Sequence, residues 1–226
     1  MHVTAVVLAA GKSLRIKSKV TKPLIKVNSK PLIIFSLDAF NRHPQVKDII
    51  IVANRANIKE IASSVKRYRL DKVREIVLGG ETRRGSAENG LKAINSRTGV
   101  VLIHDAARPF IQRKMISRVI KAAARSGAAI TGVRVKATIK EVTSINIVRK
   151  TLDRRDLWEI QTPQGFRQGL ILRAFRKSRD PDVTDDAVLV EKLGAKVRVI
   201  PGSYNNIKVT TPEDLIIAKA IADKSY

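Results

Sequence analysis

Apolar residues gather in short, largely β-branched runs at 3–9 (VTAVVLA), 48–53 (DIIIVA), 73–78 (VREIVL), 99–103 (GVVLI) and 128–133 (AAITGV). Strands buried on both faces have this appearance. Between the runs, apolar positions recur every three or four residues, over 31–42 (PLIIFSLDAFNR), 57–69 (NIKEIASSVKRYR), 86–95 (SAENGLKAIN) and 113–125 (RKMISRVIKAAAR). That spacing predicts helices, the first with Pro31 in its opening turn, the second capped by Asn57, the last stopping before Gly127. Strands alternating with helices imply parallel pairing through right-handed crossovers. The expected fold class is therefore α/β, an open doubly wound and mostly parallel sheet, whose ligands bind beyond the carboxyl ends of the strands.

The pattern changes after residue 133. Two polar-apolar alternations, 133–142 (VRVKATIKEV) and 145–152 (INIVRKTL), are joined by Thr143-Ser144. They predict a β-hairpin too polar on one side to be core, hence an arm at about 133–155 protruding from the sheet. Beyond it the sequence predicts a helix at 168–178, a turn at Asp180-Pro181-Asp182 and a helix opening at Thr184-Asp185-Asp186. A strand at 196–200 and a last helix from Pro212 complete the pattern. With no repeat and no Gly/Ser-rich linker, residues 1–226 are expected to form one domain.

Composition narrows the chemistry. The 226 residues contain no Cys, which excludes a disulfide framework, a thiolate zinc site and a cysteine nucleophile. Any phosphate or metal chemistry has to use oxygen ligands, Lys, Arg and backbone amides. No apolar run approaches the roughly 20 residues that span a bilayer, and the opening MHVTAVVLAAGKS lacks a basic leader segment. A cytoplasmic protein with no membrane partner is expected. Lys and Arg number 44 against 20 Asp and Glu, a formal net charge of +24. Such a charge attracts polyanions, and a basic nucleic-acid-binding module is the alternative reading. Aromatic residues make up only 4% and no basic run is interleaved with stacking rings, so a solvated basic surface is favoured and no specific nucleic acid is expected.

Candidate chemistry collects at the ends of predicted strands. Residues 8–27, LAAGKSLRIKSKVTKPLIKV, place Ala9, Ala10 and Gly11 where backbone amides can approach a ligand, and Arg15 and Lys22 where they can clamp a polyphosphate. The spacing matches neither the P-loop nor the dinucleotide-binding glycine fingerprint. Residues 79–86 read GGETRRGS, with Ser86 at the head of the next helix. Residues 104–109 read HDAARP, with Asp105 at a strand end and His104 expected to support that loop. TPQ at 162–164 and NIKVTTPED at 206–214 complete the set. Trp158 is read as a packing residue.

Taken in order, LAAGxxxR, TKP, GGETRxxS, HDAARP, LWEIQTPQGF, TDDA and NIKVTTPEDL resemble the 2-C-methyl-D-erythritol 4-phosphate cytidylyltransferases, which use CTP in the non-mevalonate isoprenoid pathway. The resemblance spans about residues 3–222. Ser13 and Ile16 stand where the family usually has Gly and Met, and Glu81 where it more often has Asp. The resemblance implies transfer of CMP from CTP to methylerythritol phosphate, with another polyol phosphate such as ribitol 5-phosphate as the alternative acceptor. It assigns Ala9, Ala10, Gly11 and Ser13 to the nucleotide loop, and Arg15 and Lys22 to the α-phosphate and the pyrophosphate leaving group. Gly80, Glu81 and Ser86 would read the cytosine and position CTP. Asp105 would hold Mg²⁺ with the triphosphate, and Arg108 would lie beside the acceptor pocket. Thr138, Arg154 and Lys208 would grip the acceptor phosphate, the arm crossing into a second subunit of a homodimer.

Overall fold

The computed structural model describes residues 1–11, 21–178, 183 and 185–225. The chain opens with β1 (His2–Leu8), a small ribbon of β2 (Lys26–Val27) and β3 (Lys30–Pro31), and α1 (Leu32–Asn41). Then β4 (Val46–Ala53), α2 (Ile58–Arg67), β5 (Val73–Leu78), α3 (Arg83–Lys92), β6 (Thr98–Asp105), α4 (Arg113–Ser126) and β7 (Ala128–Arg134) alternate as their periodicity requires. The remainder is β8 (Ile139–Val142), β9 (Val148–Leu152), β10 (Trp158–Arg167), α5 (Gln168–Lys177), α6 (Ala187–Glu191), β11 (Arg198–Pro201) and α7 (Pro212–Ser225). Thr184 and the Asp180-Pro181-Asp182 turn lie outside the described residues.

Seven strands form the central sheet in the order β11-β7-β10-β6-β1-β4-β5. All neighbours pair in parallel except β10, which runs antiparallel to both β6 and β7. Alternate side chains of β1 serve opposite layers. Val3, Ala5 and Val7 join the core under α1, α2 and α4, whereas Val6 joins the core under α3, α5 and α6. A third apolar cluster ties Val27, Leu32 and Phe35 to Ala218 and Ala222 of α7. Burial of both faces explains the unbroken apolar runs of β1, β4 and β6, since neither side of these strands meets water. The sheet is thus the expected mostly parallel one, with helices on both faces.

The hairpin is present as β8 and β9, paired antiparallel outside the central sheet. The expected first strand of that hairpin divides in two: residues to Arg134 belong to β7 in the sheet, and pairing resumes at Ile139. Around the tip, Val142, Ile145, Ile147 and Val148 are exposed, Ile145 most of all at 73%. Among the described residues no helix is long and apolar enough to cross a membrane.

Candidate active site

β6 and β1 end as neighbours and β5 ends beyond β4, and a cleft of about 270 Å³ opens outside the carboxyl ends of these strands. Ala9, Ala10 and Gly11 form one wall, Gly80, Glu81 and Ser86 another, and Asp105, Lys22 and Lys208 complete it. The alanine turn is held from behind by two asparagines. Asn57 is fully buried and donates from Nδ2 to the Ala9 carbonyl at 3.0 Å, while Asn54 Nδ2 donates to the Ala10 carbonyl at 3.3 Å. Each asparagine also accepts the other's backbone N–H through its side-chain oxygen, at 2.9 and 3.0 Å. Asn57 does precede α2, but its side chain supports the cleft instead of bonding to the helix.

The Gly79-Gly80 pair is a steric requirement. A Cβ on Gly79 would lie 2.4 Å from Ala10 Cβ and 2.8 Å from Ser86 Oγ, so no side chain fits between the β1 turn and α3. The cap of α3 corrects the sequence reading. Thr82 Oγ1 accepts from Gly85 N at 2.9 Å, which puts the helix start at Arg83 and leaves Ser86 buried one turn inside it. Ser86 Oγ instead donates to the Gly80 carbonyl at 3.4 Å. The N-terminus of α3 therefore borders the cleft, where its dipole favours an anion.

Asp105 ends β6 between two cations. Arg83 Nε lies 3.4 Å from Oδ1 and Lys208 Nζ 2.7 Å from Oδ2. Burial pushes this carboxyl up, but the Arg83 and Lys208 charges outweigh it and hold its pKa well below the usual carboxylate range. The backbone of Asp105 is pinned as well, its N–H donating to Thr162 Oγ1 at 3.1 Å. The Thr162 hydroxyl in turn meets His104 Nδ1 at 3.0 Å, and His104 Nε2 meets the Arg108 carbonyl at 3.0 Å. The carbonyl partner makes Nε2 a donor, and in the neutral ring Nδ1 then accepts from the Thr162 hydroxyl. Burial lowers the His104 pKa to about 4, in keeping with that state. His104 supports the Asp105 loop, as expected, and Thr162 gives the TPQ motif a purpose.

The remaining assignments divide. Ser13 and Arg15 lie outside the described residues. Arg108 does not line the cleft: its Nη1 donates to the Asn206 carbonyl at 2.8 Å and its Nη2 to the Ile160 carbonyl at 3.2 Å. Thr138 and Arg154 are exposed at the arm and do not line the cleft, and Arg154 donates to the Lys136 carbonyl. The sequence reading missed Arg83, which lines the cleft and pairs through Nη2 with buried Asp186 Oδ2 at 2.8 Å. Burial pushes Asp186 up while the Arg83 guanidinium pulls it back.

Lys22, Arg83, Lys208, Glu81 and Asp105 thus line one space, bounded by a small-residue turn and a helix N-terminus. A cleft that holds anionic oxygens among fixed cations, at the carboxyl edge of a mostly parallel sheet, defines an α/β protein built to take a phosphate-bearing ligand such as a nucleotide. Comparison with known proteins resolves which. The profile described as 2-C-methyl-D-erythritol 4-phosphate cytidylyltransferase matches residues 3–224, and the chain belongs to that family. Its relative of that name from Alkaliphilus metalliredigens is 43% identical over 225 residues, covering 98% of this chain and 93% of the relative. The one from Syntrophus aciditrophicus is 42% identical, covering 98% and 96%. The crystal structure of 4-diphosphocytidyl-2C-methyl-D-erythritol synthase from Anaerococcus prevotii superposes with a TM-score of 0.85 at 33% identity, covering 98% of this chain and 96% of that one. The Francisella tularensis 2-C-methyl-D-erythritol 4-phosphate cytidylyltransferase gives 0.81 at 32%, covering 98% and 100%.

Proposed function

We propose that the cleft transfers CMP from CTP to 2-C-methyl-D-erythritol 4-phosphate, releasing pyrophosphate, as its family does. The observation that carries the assignment to this cleft is Asp105 held between Arg83 and Lys208 beside the Ala9-Ala10-Gly11 turn. A phosphate monoester with a second pKa of about 6 is already largely dianionic at neutral pH, so its oxygen can attack the α-phosphorus without a general base. The protein has to align that attack and neutralise the charge gathering on the equatorial oxygens and on pyrophosphate. Lys22 and Arg83 serve the triphosphate, the alanine turn and the Gly80–Ser86 segment hold the nucleoside, and Lys208 faces the incoming phosphate. Arg15 joins Lys22 by its position in the motif.

Mg²⁺ fits at Asp105 as an ion shared with the nucleotide, since among the described residues no group of three or more His, Asp or Glu could hold a metal by itself. One carboxylate plus phosphate oxygens is an ordinary Mg²⁺ donor set, and Asp105 supplies that carboxylate at the cleft. Bound there, the ion would withdraw charge from the triphosphate as pyrophosphate leaves.

The arm supports a homodimer, because bare Ile145 and Ile147 at its tip are the kind of surface a second subunit covers. Thr138 and Arg154 would then serve the partner's acceptor site. The deciding experiment incubates the protein with Mg²⁺, each of four nucleoside triphosphates and a panel of polyol phosphates, following pyrophosphate. CTP with methylerythritol phosphate should be fastest. Faster release with ribitol 5-phosphate would overturn the acceptor, and salt-sensitive DNA binding without turnover would favour the nucleic-acid module.

A further inference from the structure

Among the described residues at the entry into α6, Asp186 is the one that bonds to a side chain of the active site. Asp186 is 1% exposed at the start of α6, and its partner Arg83 is the first residue of α3. Its neighbour Asp185 is fixed separately, accepting from Gln164 Nε2 at 3.0 Å and from Val188 N at 3.1 Å. Gln164 lies on β10 opposite Ile103, two residues before Asp105 on β6. Arg84 is tied the other way, its Nη2 donating to the carbonyls of Phe175 at 3.0 Å and Ser178 at 2.5 Å. Of Arg83, Arg84, Gln164, Asp185 and Asp186, Arg83 alone lines the cleft.

A guanidinium is a rigid planar fork, so gripping one edge fixes the direction of the others. Asp186 grips the Nη2 edge from inside the protein, which leaves Nε toward Asp105. Without that grip Arg83 would be drawn wholly to Asp105, in a two-point pair that takes the carboxylate from Lys208 and from any cation shared with the nucleotide. We infer that Asp186 is a positioning residue for nucleotide binding, acting through Arg83. It keeps a cation preoriented at the triphosphate and keeps Asp105 available. This rests on the cytidylyl-transfer reading, and it makes the TDDA motif part of the nucleotide site although none of its described residues reaches the cleft.

The test measures CTP affinity by calorimetry with Mg²⁺, KM for each substrate and melting temperature. Asp186→Asn keeps the size and the acceptor oxygen but removes the charge. It should weaken CTP binding by about tenfold, the order expected for one charge-assisted contact, and leave KM for the polyol phosphate within about twofold. Asp186→Glu restores the charge and should recover part of the loss. Should Asp186→Asn fail to fold, Arg83→Lys keeps the buried carboxylate paired and should show the same CTP-selective loss. Unchanged CTP affinity in the folded variant overturns the inference, as does an equal rise in both KM values accompanied by a fall in melting temperature. Wild-type protein that binds no CTP overturns the functional reading instead, and the inference with it.

Discussion

Replacing Asp105 by Asn should move two measurements in opposite directions. The cleft lining carries Lys22, Arg83 and Lys208 against Glu81 and Asp105, and the substitution removes one of the two carboxylates. Lys208 then loses its partner at 2.7 Å, whereas Arg83 keeps Asp186. For a phosphate about 4 Å away, removing one negative charge is worth about 1 kcal/mol in a water-like medium and about 4 kcal/mol at an effective dielectric of 20. Asp105 is buried at the edge of the cleft, so the lower figure is a floor, and CTP should bind the variant about fivefold more tightly or better when metal is chelated. The Mg²⁺ requirement for pyrophosphate release should rise in the same protein, if the ion is shared by this carboxylate as proposed. Arg83 and Lys208 keep Asp105 ionised well below the usual range, so the contrast with wild type should persist as the assay pH is lowered to about 5. Calorimetry in EDTA and a Mg²⁺ titration of turnover measure the two effects. An unchanged Mg²⁺ titration together with unchanged metal-free CTP binding would refute the reasoning and reduce Asp105 to a turn residue.

Three more predictions concern the cation, the arm and the buried histidine. Lys22→Ala should lower kcat by on the order of 10²-fold or more, the scale for removing a fixed donor from developing charge, and a near-normal kcat in the folded variant would take Lys22 out of the mechanism. Arg154→Ala should raise KM for the polyol phosphate far more than for CTP, costing about 1.5–3 kcal/mol, or roughly 10- to 150-fold in kcat/KM. Co-refolding it with Lys22→Ala should restore activity toward a quarter of wild type, whereas mixed dimers without recovery would place the arm's contacts in cis. His104 binds its proton near pH 4 in the fold and near 6.5 unfolded, so the unfolded chain holds more protons between these values. Stability should therefore fall on acidification from 6.5 toward 4, by up to about 3 kcal/mol from this ring, and an identical pH slope in His104→Gln would reject that source.

Much of this molecule was legible because burial on both faces leaves an unbroken apolar run. β1, β4, β6 and β7 announced themselves in that way, and the amphipathic helices between them fixed the parallel topology. β10 did not. Pro163 and Gly165 interrupt its pattern, and the pairing with β7 jumps from Gln161 to Gln164, so WEIQTPQGFR lacks the regular alternation of a strand. In the cleft, Ala9, Gly80 and Asp105 could be found because they sit where strands end. Arg83 could not be separated from Arg84 on sequence grounds, since the partner that distinguishes it, Asp186, is 103 residues away. Sequence alone sets the head of α3 at Ser86 because Ser suits a helix start, but Thr82 reaches a backbone N–H and begins the helix four residues earlier.

The position of β1 has a consequence for synthesis. It pairs with β4 on one side and β6 on the other, so His2 waits for Thr98, and Leu8 for Asp105, before the middle of the sheet closes. The cleft needs more still, since Lys208 meets Asp105 only through the segment that follows β11. A ribosome thus delivers the alanine turn early and the residue that completes the charge pattern late. Until then a growing chain carries Lys22 and Arg83 but lacks Lys208, and its cleft is one cation short. Binding competence arrives with long-range closure and is absent from the early half, so CTP is expected to stabilise finished molecules and to do little for nascent ones.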